Sequence, residues 1–265
     1  MKQSHCQYPR RRKGKISLLG ENIVCIRSPW VSAWWSATFP GFGYILVGQY
    51  IKGFVLVAWE IFINTKAQLN TAIILTFIGE FEKAKEILNP NWAMLYAGVY
   101  VFSIWDSYRT TVELNKYTVL ADAEDVPVMP SAVSSLGISY SDKRHPWLAL
   151  FWSVFAPGMG ILYAGNIVAA VLTLTWWVTL VHLSHFIVAL QYTCTGEFTR
   201  ARGVLDPQWL LFIPSAFAFI LYSTYVSVVE YNCFFDAEQA RYLKSKYQHA
   251  NFFISLKKLS VRGDG

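Results

Sequence analysis

Displaced by 117 residues, this chain falls on itself. Pro29-Trp30 lands on Pro146-Trp147, and Trp35-Ser36 on Trp152-Ser153. Pro40, Gly41, Gly43 and Gly48 land on Pro157, Gly158, Gly160 and Gly165. Gly79-Glu80-Phe81 meets Gly196-Glu197-Phe198, Pro90 and Trp92 meet Pro207 and Trp209, and Glu113 and Asn115 meet Glu230 and Asn232. No gap is needed between 29 and 115. A fixed offset held through so many Trp, Pro and Gly positions is an internal duplication, so the fold must be one unit built twice.

The medium comes from composition. Charged residues are 15% of the chain, against roughly 25% in a soluble domain, and apolar residues are 54%. The runs 167–192 and 209–229 are each as long as the roughly 20 apolar residues a span needs. Several such runs in 265 residues predict an all-α integral membrane protein.

The net charge of +6 is gathered at the ends. Lys2, Arg10, Arg11, Arg12, Lys13, Lys15 and Arg27 lie before residue 29, and Arg241, Lys244, Lys246, Lys257, Lys258 and Arg262 after residue 233. Basic flanks stay on the cytoplasmic side. Both termini are therefore expected inside, most simply at the cell membrane, with an even number of crossings. No cleavable signal peptide is expected. The basic tails suit anionic lipid headgroups, and no groove-reading motif points to nucleic acid. The cysteines Cys6, Cys25, Cys194 and Cys233 form no CxxC and read as free thiols, with no disulfide and no metal.

The expected parts are a basic tail (1–28), a first membrane repeat (29–116), a linker loop (117–145), a second repeat (146–233) and a basic tail (234–265). Each repeat reads as helix a (29–50, then 146–167), helix b (53–78, then 169–195), a short amphipathic segment and helix c (92–112, then 209–231). The residue before Pro90 ends the amphipathic segment. Six crossings in two tandem three-helix units would make the repeats inverted. The alternative is four crossings, with helix a re-entering in each unit. Counting basic residues does not separate the two, and the 22-residue length of helix a favours six.

The break inside helix a is the motif PGxG. Pro40-Gly41-Phe42-Gly43 leads to Gly48, and Pro157-Gly158-Met159-Gly160 leads through Tyr163 to Gly165. A proline and two glycines either kink a helix or turn it into a hairpin. The pattern P-G-x-G-x-x-Y-x-G resembles the hairpin of TM2-like small membrane proteins, over about 25 residues of each unit. The first copy has Leu46 where the tyrosine stands. The resemblance implies a tight membrane hairpin and no reaction.

Polar residues at membrane depth are functional candidates. Glu60, Asn64, Gln68 and Thr71 share one face of helix b. In the second unit that stripe reads Thr175, Thr179, His182 and His185. The functional reading is a polar path between the two b helices through Glu60, Asn64, Gln68, His182 and His185. The structural one is hydrogen bonding between packed helices. Glu80-Phe81 and Glu197-Phe198 could dock a partner, or the glutamates could simply face a helix N-terminus. With no nucleophile–base pair, metal triad or phosphate loop, no enzyme and no cofactor are expected. A scaffold or accessory subunit, with a membrane protein as its partner, is the first expectation. A small transporter with inverted repeats is the alternative.

Overall fold

The computed structural model describes residues 11–17, 20–124, 126, 131–134, 137–140 and 142–247. The fold is all-α, apart from two short antiparallel hairpins.

The first unit opens with hairpin β1–β2 (Gly14–Ser17, Gly20–Ile23). It continues as α1 (Pro29–Thr38), α2 (Phe42–Leu46), α3 (Tyr50–Ala67), α4 (Leu69–Phe77), α5 (Phe81–Ile87) and α6 (Pro90–Glu124). The second repeats it as β3–β4 (Ser131–Ser134, Gly137–Tyr140), α7 (Pro146–Phe155), α8 (Met159–Tyr163), α9 (Ile167–Leu183), α10 (Phe186–Cys194) and α11 (Phe198–Val204). It ends with α12 (Pro207–Leu210) and α13 (Phe212–Tyr247). The duplication reaches individual dihedral angles. Gly41 and Gly158 have φ of 106° and 107°, and Gln68 and His185 have φ of 57° and 56°. The repeat also extends past residue 115, because β1–β2 and β3–β4 are mates and helix c runs on to Glu124. The start of the expected linker loop is thus helix, and part of its remainder is the β3–β4 hairpin.

Helix a is not continuous. Gly41 takes a left-handed conformation that suits glycine, and the chain doubles back, so that α2 lies antiparallel on α1. A Cβ on Gly43 would overlap the Ser32 carbonyl oxygen and Ser36 Oγ. The backbones touch, and only glycine fits.

The levels along α6 fix the rest. Trp30 packs on Tyr108 with ring centroids 5.1 Å apart, and the Tyr100 hydroxyl donates to the Ala37 carbonyl at 2.6 Å. Lys52 sits at Asp106 and Phe62 at Trp92. α1 and α3 therefore both run antiparallel to α6. The PGxG turn lies about ten residues, roughly 15 Å, short of the start of α6. The end bearing Arg27 and β1–β2 is the base, and the end where α3 stops is the apex. At the apex α4 and α5 leave and return as a hairpin, and the Asn89 N–H bonds the Ala67 carbonyl at 3.1 Å. Asp206 and Ser184 repeat this at 3.2 Å.

The two units stand in the same sense. Gln208, at the apex of the second, meets Asn64 and Asn70 at the apex of the first. At the base, Arg27 pairs with Glu230, and the Asn166 amide reaches the Tyr50 hydroxyl. The units thus run parallel in the structure and not inverted, with helix a folded back on itself in each. Between the units lies a core of Trp35, Phe39, Phe42, Leu180, Phe212 and Phe219. Phe42 of the PGFG turn stacks on Phe219 at 4.2 Å. The contact is head-to-tail. α1, α2 and α4 of the first unit meet the second, whereas on α7 and α8 the residues Phe151, Trp152, Phe155 and Met159 remain exposed.

Among the described residues, one helix by itself is long and apolar enough to cross a membrane, the run Pro207–Tyr247 of 41 residues. The pair α9 and α10, bent by 59°, qualifies if taken together. Large apolar side chains lie exposed around the whole body, among them Trp30, Trp34, Phe77, Met94, Trp147 and Phe155.

Candidate functional site

Two places gather functional groups. The first is a polar cluster at the apex. Asn64 Nδ2 donates to Glu60 Oε1 at 3.0 Å and to Asn70 Oδ1 at 3.1 Å. Gln208 Nε2 donates to Asn64 Oδ1 at 2.7 Å, and Asn70 Nδ2 donates to the Gln208 carbonyl at 2.8 Å. Thr71 donates to Gln208 Oε1 through both its backbone and its hydroxyl, at 3.2 Å each. Glu60, Asn64, Asn70 and Gln208 are all buried. Each is held by another, so the cluster ties the units together.

This is not the path expected between the b helices. Helix b is broken at Gln68, whose αL conformation ends α3, so the stripe through Glu60 and Asn64 turns aside before Thr71. Gln68 donates to the Thr65 carbonyl at 3.1 Å and accepts from Thr71. His182 and His185 are exposed and stand apart from the cluster. Its true fourth member, Gln208, carried no signal in the repeat, because its mate is Asn91.

The docking pairs are open to the surroundings. Glu80 and Glu197 precede α5 and α11 without a side-chain cap, and pair instead with Lys83 at 2.9 Å and Arg200 at 2.6 Å. Phe81 and Phe198 are exposed at the hairpin tips. The motif residues Pro40, Gly41, Gly43, Gly48, Pro157, Gly158, Gly160 and Gly165 shape the two turns. Tyr163 accepts a hydrogen bond from the His145 N–H at 3.2 Å. Among the described residues, no three His, Cys, Asp or Glu side chains group to hold a metal.

The second place is a cavity of about 350 Å³ between the units. Its walls come from α2 and α3 on one side and α8, α9 and α13 on the other. The depth is apolar, with Phe42, Val57, Phe219 and Trp176, whose Nε1 is buried without a partner. Hydroxyls of Thr173, Thr179 and Ser223 lie along the wall. The base end is polar. There Arg27 Nε donates to Glu230 Oε1 at 2.7 Å and Nη2 bonds Glu230 Oε2, a two-pronged pair. Nη1 of the same guanidinium is buried and has no acceptor. Asn115 holds the Arg27 backbone from both sides, at 3.0 Å from its N–H and 2.7 Å from its carbonyl. Asn232 holds Arg144 in the same way, at 2.9 and 2.6 Å.

The cavity marks a divergence between the units. In the first, the Tyr44 hydroxyl donates to Asp106 at 2.7 Å and Lys52 Nζ to the same carboxylate at 3.2 Å, and this trio closes α2 and α3 onto α6. Its mates are Ile161, Ala169 and Ser223, and all three line the cavity. With no polar trio to draw it in, α9 stands off from α13.

Comparison with protein-family models, with curated proteins and with solved structures returns no match.

Proposed function

We propose that the chain is a non-enzymatic integral membrane protein acting as a scaffold or accessory subunit, with both termini cytoplasmic. In this reading α3, α6, α9 and α13 cross the bilayer, while α1–α2 and α7–α8 re-enter from the base. The lengths agree. The 18 residues of α3 and 17 of α9 rise about 27 and 26 Å, close to the roughly 30 Å of a hydrocarbon core. The charge agrees as well, since Arg11, Lys13 and Arg27 all lie at the base, pairing there with Glu124, Asp122 and Glu230.

The observation that carries the scaffold reading is how the apex polar groups are used. Glu60, Asn64, Asn70 and Gln208 are spent on one another across the units, and the Phe39, Phe42 and Phe219 stack fills the space below them. Against the transporter alternative, His182 and His185 are exposed and stand apart from Glu60 and Asn64.

Topology is tested with Cys6, Cys25, Cys194 and Cys233 replaced and single cysteines placed at Lys85→Cys or Arg202→Cys. In intact cells an impermeant thiol reagent should label both. Labelling of only one would mean inverted repeats and would overturn the four-crossing reading. Glu60→Gln and His182→Ala should each complement a deletion strain. Failure of both, with normal protein levels, would favour transport.

A further inference from the structure

We propose that the cavity between the units is a lipid site, holding one acyl chain of a zwitterionic phospholipid from the bilayer with its phosphate on Arg27 Nη1. The inference rests on the membrane reading above.

Three observations carry it. First, the space lies where the two units differ. Tyr44, Lys52 and Asp106 bond together in the first unit, and Ile161, Ala169 and Ser223 stand at their mates in the second. With no lysine–carboxylate pair at these positions, the second unit has a gap with an apolar floor there. An apolar cavity inside a membrane body is open to acyl chains. At about 350 Å³ it sits at the small end of the roughly 300–1,000 Å³ of ligand cavities, which suits one chain rather than two.

Second, the rim holds an unmet donor. Buried polar groups nearly always have a partner, yet Arg27 Nη1 has none while Nε and Nη2 are occupied by Glu230. The unmet corner of the buried guanidinium calls for an oxygen acceptor, and a phosphate arriving at the base of the cavity, which Arg27 lines, would supply one. Asn115 clamps the Arg27 backbone, so the donor is preorganised.

Third, the rim pair Arg27–Glu230 carries no net charge. An anionic head on Arg27 would sit beside the Glu230 carboxylate and be repelled. A head with an ammonium group beside its phosphate is matched on both sides. This sets the site apart from the basic tails, which attract net negative lipid.

The test uses the full chain in mild detergent and native mass spectrometry. The probes are lysophosphatidylethanolamine and lysophosphatidylglycerol of equal chain length. One saturable equivalent of the ethanolamine lipid is expected, bound at least about fivefold more tightly than the glycerol lipid. The triple change Ile161→Tyr, Ala169→Lys and Ser223→Asp, which copies the first unit, should remove binding. Thr173→Phe, a single plug in the wall, should do the same should the triple variant fail to fold. Glu230→Gln should reverse the preference toward the anionic lipid. Absence of saturable binding, or wild-type binding by the plugged variants, would overturn the site. Equal binding of both lipids with no reversal by Glu230→Gln would overturn the head-group assignment. Failure here with both Lys85→Cys and Arg202→Cys labelled would sink the lipid site and leave the four-crossing body standing.

Discussion

Single residues hold the turns in this chain by steric exclusion. Gly160 faces the Ala149 carbonyl oxygen and Ser153 Oγ so closely that any Cβ would overlap both. Gly160→Ala should therefore cost about 3 kcal/mol, the upper range for overpacking. Gly98 lies in α6 with open space around it. Gly98→Ala should instead gain about 1 kcal/mol of helix propensity. Thermal melts of the two purified variants, moving in opposite directions, would check this. A second effect at this scale concerns Cys25. Burial first, and then the Glu230 carboxylate, push its thiol up to about 11. At pH 8 only about one molecule in a thousand would be thiolate, against roughly a quarter for a cysteine of pKa near 8.5. Alkylation of Cys25 should run on the order of 100-fold slower in the folded protein than in urea, and should speed up as pH rises toward 11. The glycines of PGxG were legible in the sequence because nothing else packs there. Gln208 was not, because a polar side chain at a helix start looks like a surface residue until its neighbours are known.

At the scale of elements, the least legible feature was the break in helix b. No glycine or proline marks it in either unit. Gln68 and His185 nevertheless both adopt αL, at φ 57° and 56°. A non-glycine residue there costs roughly 1–2 kcal/mol. The strain persists because Asn89 and Asp206 tie the returning chain to the last turn before each break. His185 has no side-chain hydrogen bond among those the structure shows, whereas Gln68 makes two. His185→Gly should then raise the melting temperature, by about 1 kcal/mol of stability. Gln68→Gly should gain less, since it forfeits those bonds. Equal gains would mean that the Gln68 contacts are idle. The hairpins β1–β2 and β3–β4 were hidden differently. Ser17, Leu19 and Gly20 do fall on Ser134, Leu136 and Gly137 at the same offset. Three matches in a stretch otherwise different are too few to find without the fold.

At the scale of the whole molecule, duplication was plain from sequence while orientation was not. Basic residues flank both ends of each unit closely enough that four or six crossings satisfy the charge rule alike. Orientation was settled by what lies between the units, where apex meets apex through Gln208 and base meets base through Arg27 and Glu230. Each unit has its own α3–α6 or α9–α13 pair, and the surfaces joining them are complete without the covalent link. A chain cut after Val126 should therefore assemble from two co-expressed pieces, 1–126 and 127–265. A tag on one piece should recover the other from detergent in equal amounts. Gln208→Leu in the second piece would leave the buried Asn64 carbonyl oxygen without its Gln208 donor, at a cost of about 1–3 kcal/mol. That corresponds to roughly a fivefold to hundredfold weaker association. The aromatic stack of Phe42 on Phe219 should keep the weakened pair together at high expression. Pieces that never co-purify would mean that the linker, and not the interface, holds the units in register.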